Sequence, residues 1–308
     1  MNTETNTYTW IYAARFLVSS CVLLSLISAS FRIHAQQLPD TDIFLLPITQ
    51  AADGVSLGDG RLVTAKGKYD DQPSFSFDGQ YMYYAAEGDD YKTDIHAVYL
   101  PQLQKVEFIV TGSISEYHPF QKPDMTGVSL VRHDPAANTR QVWLYNTDGT
   151  DKCLTPKLTD VDRYIWLNDT MLAVRLANDS TVLVLHNVKT NEQQHVAARV
   201  GNSIGKVPSE NGIYFTQTVD GLEKLVRRYY DSGKTDTLLY LPGGATEFCV
   251  AVDGSLWAAN KGVIYRWPRA AAKWDLIKDL GTGALGGAMR VAVTRDMKWL
   301  AVVTMLKP

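Results

Sequence analysis

The chain has 308 residues, 45% of them hydrophobic, which is enough for one large core or two small ones. Its 30 Lys and Arg against 33 Asp and Glu give a net charge of −3 with no basic stripe, which argues against a nucleic-acid binder. Sixteen Tyr, seven Trp and 22 Gly fit a β-rich, turn-rich chain.

The first 35 residues read as an export leader. Arg15 supplies one positive charge ahead of an apolar run over residues 16–30, and Ile33-His34-Ala35 offers a small residue before Gln36. The run is about 15 residues, short of the roughly 20 that a spanning helix needs, so cleavage near Ala35 is expected rather than a retained anchor. Val18-Ser19-Ser20-Cys21 has the look of a lipoprotein box, but the apolar run continues past Cys21, against that reading. The mature chain, residues 36–308, is then a single exported domain with no membrane insertion. Cys153 and Cys249 survive cleavage. The repeat described next sets them in sheets too far apart to bridge, so both are expected to be small buried residues.

Residues 71–111 contain four short strands separated by turn signals, the pattern of an antiparallel unit. The unit recurs. Asp78, Asp124, Asn168, Asn211, Asp253 and Asp296 mark successive turns at spacings of 46, 44, 43, 42 and 43 residues. That period fits one propeller blade of four strands. The third strands align as DIHAV at 94–98, QVWLY at 141–145, TVLVL at 181–185, LVRRY at 225–229 and VIYRW at 263–267. The sixth unit lacks its third strand, and DIFLL at 42–46 with RLVTA at 61–65 matches what is missing. The predicted fold is therefore an all-β, six-bladed propeller of four-stranded antiparallel blades. Residues 42–65 would join residues 288–305 in the last blade and remove an exposed sheet edge. An open pair of β-sandwich sheets is the alternative, disfavoured by the constant period.

PSFSFDGQYMYY at 73–84 followed by DIHAVYL at 94–100 resembles the WD40-like (PD40-type) repeat of the TolB-like propeller family, and His118-Pro119-Phe120 with Pro123-Asp124 is a looser copy. The resemblance spans roughly residues 42–305. It implies a periplasmic or cell-surface protein that binds an envelope protein; a monomer without a cofactor is expected. The fold itself hosts unrelated activities, so a propeller enzyme of the lyase or lactonase kind, acting on a carbohydrate-derived substrate in the central channel, is the second reading.

No catalytic residue is assigned. Gly54-Val55-Ser56-Leu57-Gly58 matches the nucleophile-elbow pattern but sits in a hairpin, where the required strand-to-helix turn cannot form. The histidines lack metal-ligand spacing, and Asp148-Gly149-Thr150-Asp151 lacks the acidic spacing of a calcium loop. Counting six residues back from each turn marker gives Gln72, His118, Asp162, Gly205, Glu247 and Arg290, with Arg163 and Lys206 adjacent. In a propeller these positions ring one mouth of the channel. Gln72, His118, Asp162, Arg163, Lys206, Glu247 and Arg290 are the predicted partner- or ligand-binding set. They are expected to be partly exposed, so that charge reversal there costs little stability.

Overall fold

The structure is a computed structural model that describes residues 38–306 apart from 53, 65–66 and 107–113. The leader, residues 1–35, lies outside the described residues, as do residues 107–111 of the first four-stranded unit, whose last described strand is Gln104–Val106. Among the described residues no helix is long and apolar enough to cross a membrane.

Six antiparallel sheets follow one another along the chain. Blade one holds the strands Asp70–Phe75, Tyr81–Glu87, Thr93–Tyr99 and Gln104–Val106. Blade two holds Ser115–Gln121, Gly127–Asp134, Thr139–Asn146 and Asp151–Cys153, and blade three holds Val161–Trp166, Met171–Leu176, Val182–Asn187 and Gln193–Ala197. Blade four holds Val200–Lys206, Gly212–Val219, Leu222–Tyr229 and Thr235–Tyr240, and blade five Cys249–Val250, Leu256–Asn260, Val263–Trp267 and Asp275–Asp279. The sixth blade draws on both ends of the chain. Ala288–Val293 and Trp299–Met305 form its inner half, and Thr41–Ala51 pairs with Trp299–Met305 through residues 41–47. Its outermost position is shared by two short strands, Gly54–Leu57 and Arg61–Leu62, both paired to Thr41–Ala51. The molecule is thus a six-bladed β-propeller closed by its N-terminal strands.

The repeated turns have one chemical basis. Oδ1 of Asp78, Asp124, Asn168, Asp253 and Asp296 accepts the N–H of the residue two further on, at 2.9–3.1 Å. This local bond is why Asp and Asn recur between the first and second strands. Gly79 and Gly254 follow with φ of 69° and 82°, a left-handed backbone that favours glycine. Asn211 is different. Its side chain meets Asp231 and Tyr230 instead, and the turn in blade four is built on Pro208-Ser209.

Apolar residues fill the spaces between blades rather than one central core. Ile43, Leu45, Met82, Tyr84 and Val303 pack between blades six and one. Tyr164 and Trp166 of blade three both donate to Ser129 Oγ of blade two, at 2.7 and 2.8 Å. Cys153 and Cys249 are free thiols, as the repeat requires, but half-buried rather than buried. Burial raises both, Cys249 to about 12. The Gly-x-Ser-x-Gly segment lies in an outermost strand with Ser56 exposed and paired to Thr49, away from any turn into a helix.

Candidate channel site

The innermost strands of all six blades surround a cavity of about 560 Å³. Each inner strand ends at a residue whose N–H closes the turn: Ser76, Lys122, Leu167, Val207, Ala251 and Thr294. Four residues before each lie Gln72, His118, Arg163, Ser203, Glu247 and Arg290, and all six line the cavity. Four of the sequence-predicted residues, Gln72, His118, Glu247 and Arg290, therefore occupy equivalent channel positions, and Arg163 takes the place expected of Asp162.

Asp162 does not join the others. A bulge between Val161 and Arg163 turns its carboxylate toward Arg175, with which it pairs. The count from the turn fails because Asn168 directly follows the turn-closing Leu167, whereas Asp78 and Asp124 stand two residues past Ser76 and Lys122. The same slip moves the blade-four position from Gly205 to Ser203, since Asn211 does not cap that turn. Lys206 lines the cavity at its other end, as the exposed last residue of its strand. Ser203 is the member of the ring that the sequence reading missed. The signal lay only in the turn, which runs from Val207 to Gly212 with Ser209 in the left-handed region.

The ring is stitched together across the blades. Glu247 accepts at Oε1 from Arg163 Nη2 (2.6 Å) and Arg290 Nη2 (2.6 Å), and at Oε2 from Arg290 Nε (2.6 Å). Nη1 of Arg290 continues to Asp71 of blade one. The N–H of His118 donates to Oε1 of Gln72 at 2.7 Å, and Ser203 Oγ bonds the backbone of Phe248 at 3.0 Å in both directions. Arg163 reaches from blade three to blade five, so the network crosses the channel and forms a charged floor. Its side chains are 5–19% exposed.

This packing sets the protonation states. Burial alone would push Glu247 up, but the guanidiniums of Arg163 and Arg290 override it and hold the carboxylate well below its ordinary range. Burial and the same two guanidiniums drive His118 well below the usual imidazole value, leaving it neutral. Burial opposes the charge on Arg290, yet Asp71 and Glu247 keep it firmly protonated. Among the described residues no three His, Cys, Asp or Glu side chains gather around a point.

A ring of six four-stranded blades around an axial cavity defines the class: a six-bladed β-propeller. No protein-family model and no curated protein matches the chain. Solved structures share its shape. An Agrobacterium tumefaciens protein assigned as TolB superposes with a TM-score of 0.65 at 14% identity, over 88% of this chain and all of that one. An oligogalacturonate lyase in complex with manganese gives 0.56 at 13%, over 83% and 85% of the two chains. A chain of the nidogen–laminin complex gives 0.59 at 8%, over 86% and 98%. At such identities these likenesses establish the fold alone.

Proposed function

We propose that the protein is a non-catalytic binding propeller of the cell envelope, exported by its leader and holding a protein partner at the channel. One observation carries this reading: the ionisable groups of the channel floor are spent on one another. A general acid or base must exchange a proton near the working pH. Glu247 is pinned as a carboxylate by two guanidiniums, and His118 is held neutral beside the same two. The TolB-assigned neighbour adds support for the scaffold reading.

The lyase of similar shape favours the second reading, an enzyme acting on an acidic sugar chain. The manganese of that neighbour fits poorly here. Both oxygens of Glu247 already accept from arginine, and Arg163 and Arg290 flank His118, so a cation would meet repulsion. The test is direct. Purified protein is incubated with oligogalacturonate, with and without added manganese, and the unsaturated product is followed by ultraviolet absorbance. In parallel the tagged chain is cross-linked in its native envelope. No turnover with one stoichiometric cross-linked protein is expected. Manganese-dependent product formation overturns the scaffold reading.

A further inference from the structure

The two ends of the channel cavity differ in charge balance. At the floor, Arg163 and Arg290 are matched by Glu247 and Asp71. At the other end stand Lys206 and Arg295, both exposed and both lining the cavity. Among the described residues neither is in an ion pair. Arg295 instead lies with its guanidinium 5.5 Å over the ring of Phe77, itself 37% exposed at the same rim. Glu247 is the single carboxylate among the lining residues, against four cationic side chains. With Asp71 paired to Arg290, the rim keeps two uncompensated positive charges in a chain whose net charge is −3.

Between floor and rim the wall is largely apolar, including Phe75, Phe120, Ile165, Phe248, Val250 and Val291. Small-molecule sites are concave, mostly apolar, roughly 300–1,000 Å³ in volume, and carry a few placed polar groups. At about 560 Å³ this cavity meets each condition. Apolar walls also strengthen the field of a cation at the mouth by keeping water from screening it. A long segment threaded through the ring would have to break the Arg163–Glu247–Arg290 floor, which favours a compact occupant.

We propose that the cavity binds a small organic acid, its apolar body against the channel wall and its carboxylate held at the rim by Lys206 and Arg295. The carboxylate belongs at the rim because the floor guanidiniums already have anionic partners. The assignment is independent of the scaffold reading, since it concerns a small ligand rather than a protein partner.

Calorimetric titration of the full chain tests it, with indole-3-acetate, phenylacetate and decanoate as probes, each beside its neutral amide. At least one acid is expected to bind with a Kd below about 1 mM. Its amide should bind at least tenfold more weakly. The Lys206→Gln/Arg295→Gln variant should lose at least tenfold while melting with the parent, because both side chains are exposed. Val250→Trp, which fills the cavity and leaves the cations in place, should also abolish binding. Equal binding of acid and amide, undiminished binding by the double variant, or binding of none of the three acids overturns the assignment.

Discussion

At the scale of single residues, Arg290 decides how the channel floor behaves. Three of its contacts are charge-assisted bonds to Glu247 and Asp71, and its side chain is only 14% exposed. The sequence-based expectation of a nearly neutral charge reversal assumed partial exposure, and it does not survive this burial. Removing one partner of a buried ion pair strands the other charge, at a cost of about 3–5 kcal/mol. Arg290→Glu adds a third acid beside two, so a loss of at least about 3 kcal/mol is expected, read from the urea midpoint. Replacing both partners, as Arg290→Met with Glu247→Met, should recover little of that loss, because Arg163 and Asp71 then lose their own partners in the floor. A wild-type midpoint for Arg290→Glu is the result that sinks the account. Nothing in the sequence marked Arg290 as a structural residue, since its partners lie 43 and 219 positions away.

At the scale of strands and blades, two successive junctions bury carboxyl groups. Asp70 begins the inner strand of blade one and Glu116 lies in that of blade two, at 4% and 1% exposure. Burial lifts Glu116 to about 8; Arg132, 3.5 Å away, opposes only in part, and Asp94 from the preceding blade adds to the rise. Burial lifts Asp70 to about 7 against the pull of the Thr64 hydroxyl, with Asp42 of blade six adding to the rise. The sign follows from proton counting. The folded chain keeps a proton on Glu116 that the unfolded chain releases near pH 4.5, so stability from this group is full below pH 4.5 and lost as pH rises toward 8. Glu116→Gln keeps an acceptor for the Tyr145 hydroxyl, which donates to Oε1 at 3.0 Å. It should raise the melting temperature at pH 8, by about 1–3 kcal/mol of stability, and leave it unchanged near pH 4.5. An equal effect at both pH values would remove the buried-acid explanation. Residue type revealed neither group, because an acid at a strand start reads as solvent-facing until the neighbouring blade covers it.

For the whole molecule, the closure of the ring is the critical feature. Thr41–Ala51 covers the edge of Trp299–Met305 with seven paired positions from Thr41↔Met305 to Pro47↔Trp299. It also supplies Phe44, Leu46 and Ile48 to the apolar layer shared with blade five, and Ile43 and Leu45 to the one shared with blade one. Deleting residues 41–62 leaves an apolar edge strand that can pair with another molecule. Aggregated or oligomeric product on size-exclusion chromatography is expected, where a soluble monomer with the parent's melting temperature would contradict the closure.

Blade number and the closing partnership were readable from residue order, and most strands with them, though the outer strand Gly54–Leu57 was not. Each rests on local chemistry: side-chain alternation within a strand, an Asp or Asn accepting the amide two residues on, and a period near 43 residues. Channel identity was only partly readable. A bulge of one residue reverses which side chain faces the axis, and bulges depend on how an inner strand meets its neighbour. That is why Arg163 faces the channel and Asp162 does not; Ser203 takes the place counted to Gly205 because Asn211 does not cap the turn of blade four. The charged floor lay further still from the sequence. Arg163 and Glu247 are 84 residues apart, and only the closed ring, by bringing six strand starts around one axis, sets them 2.6 Å from each other.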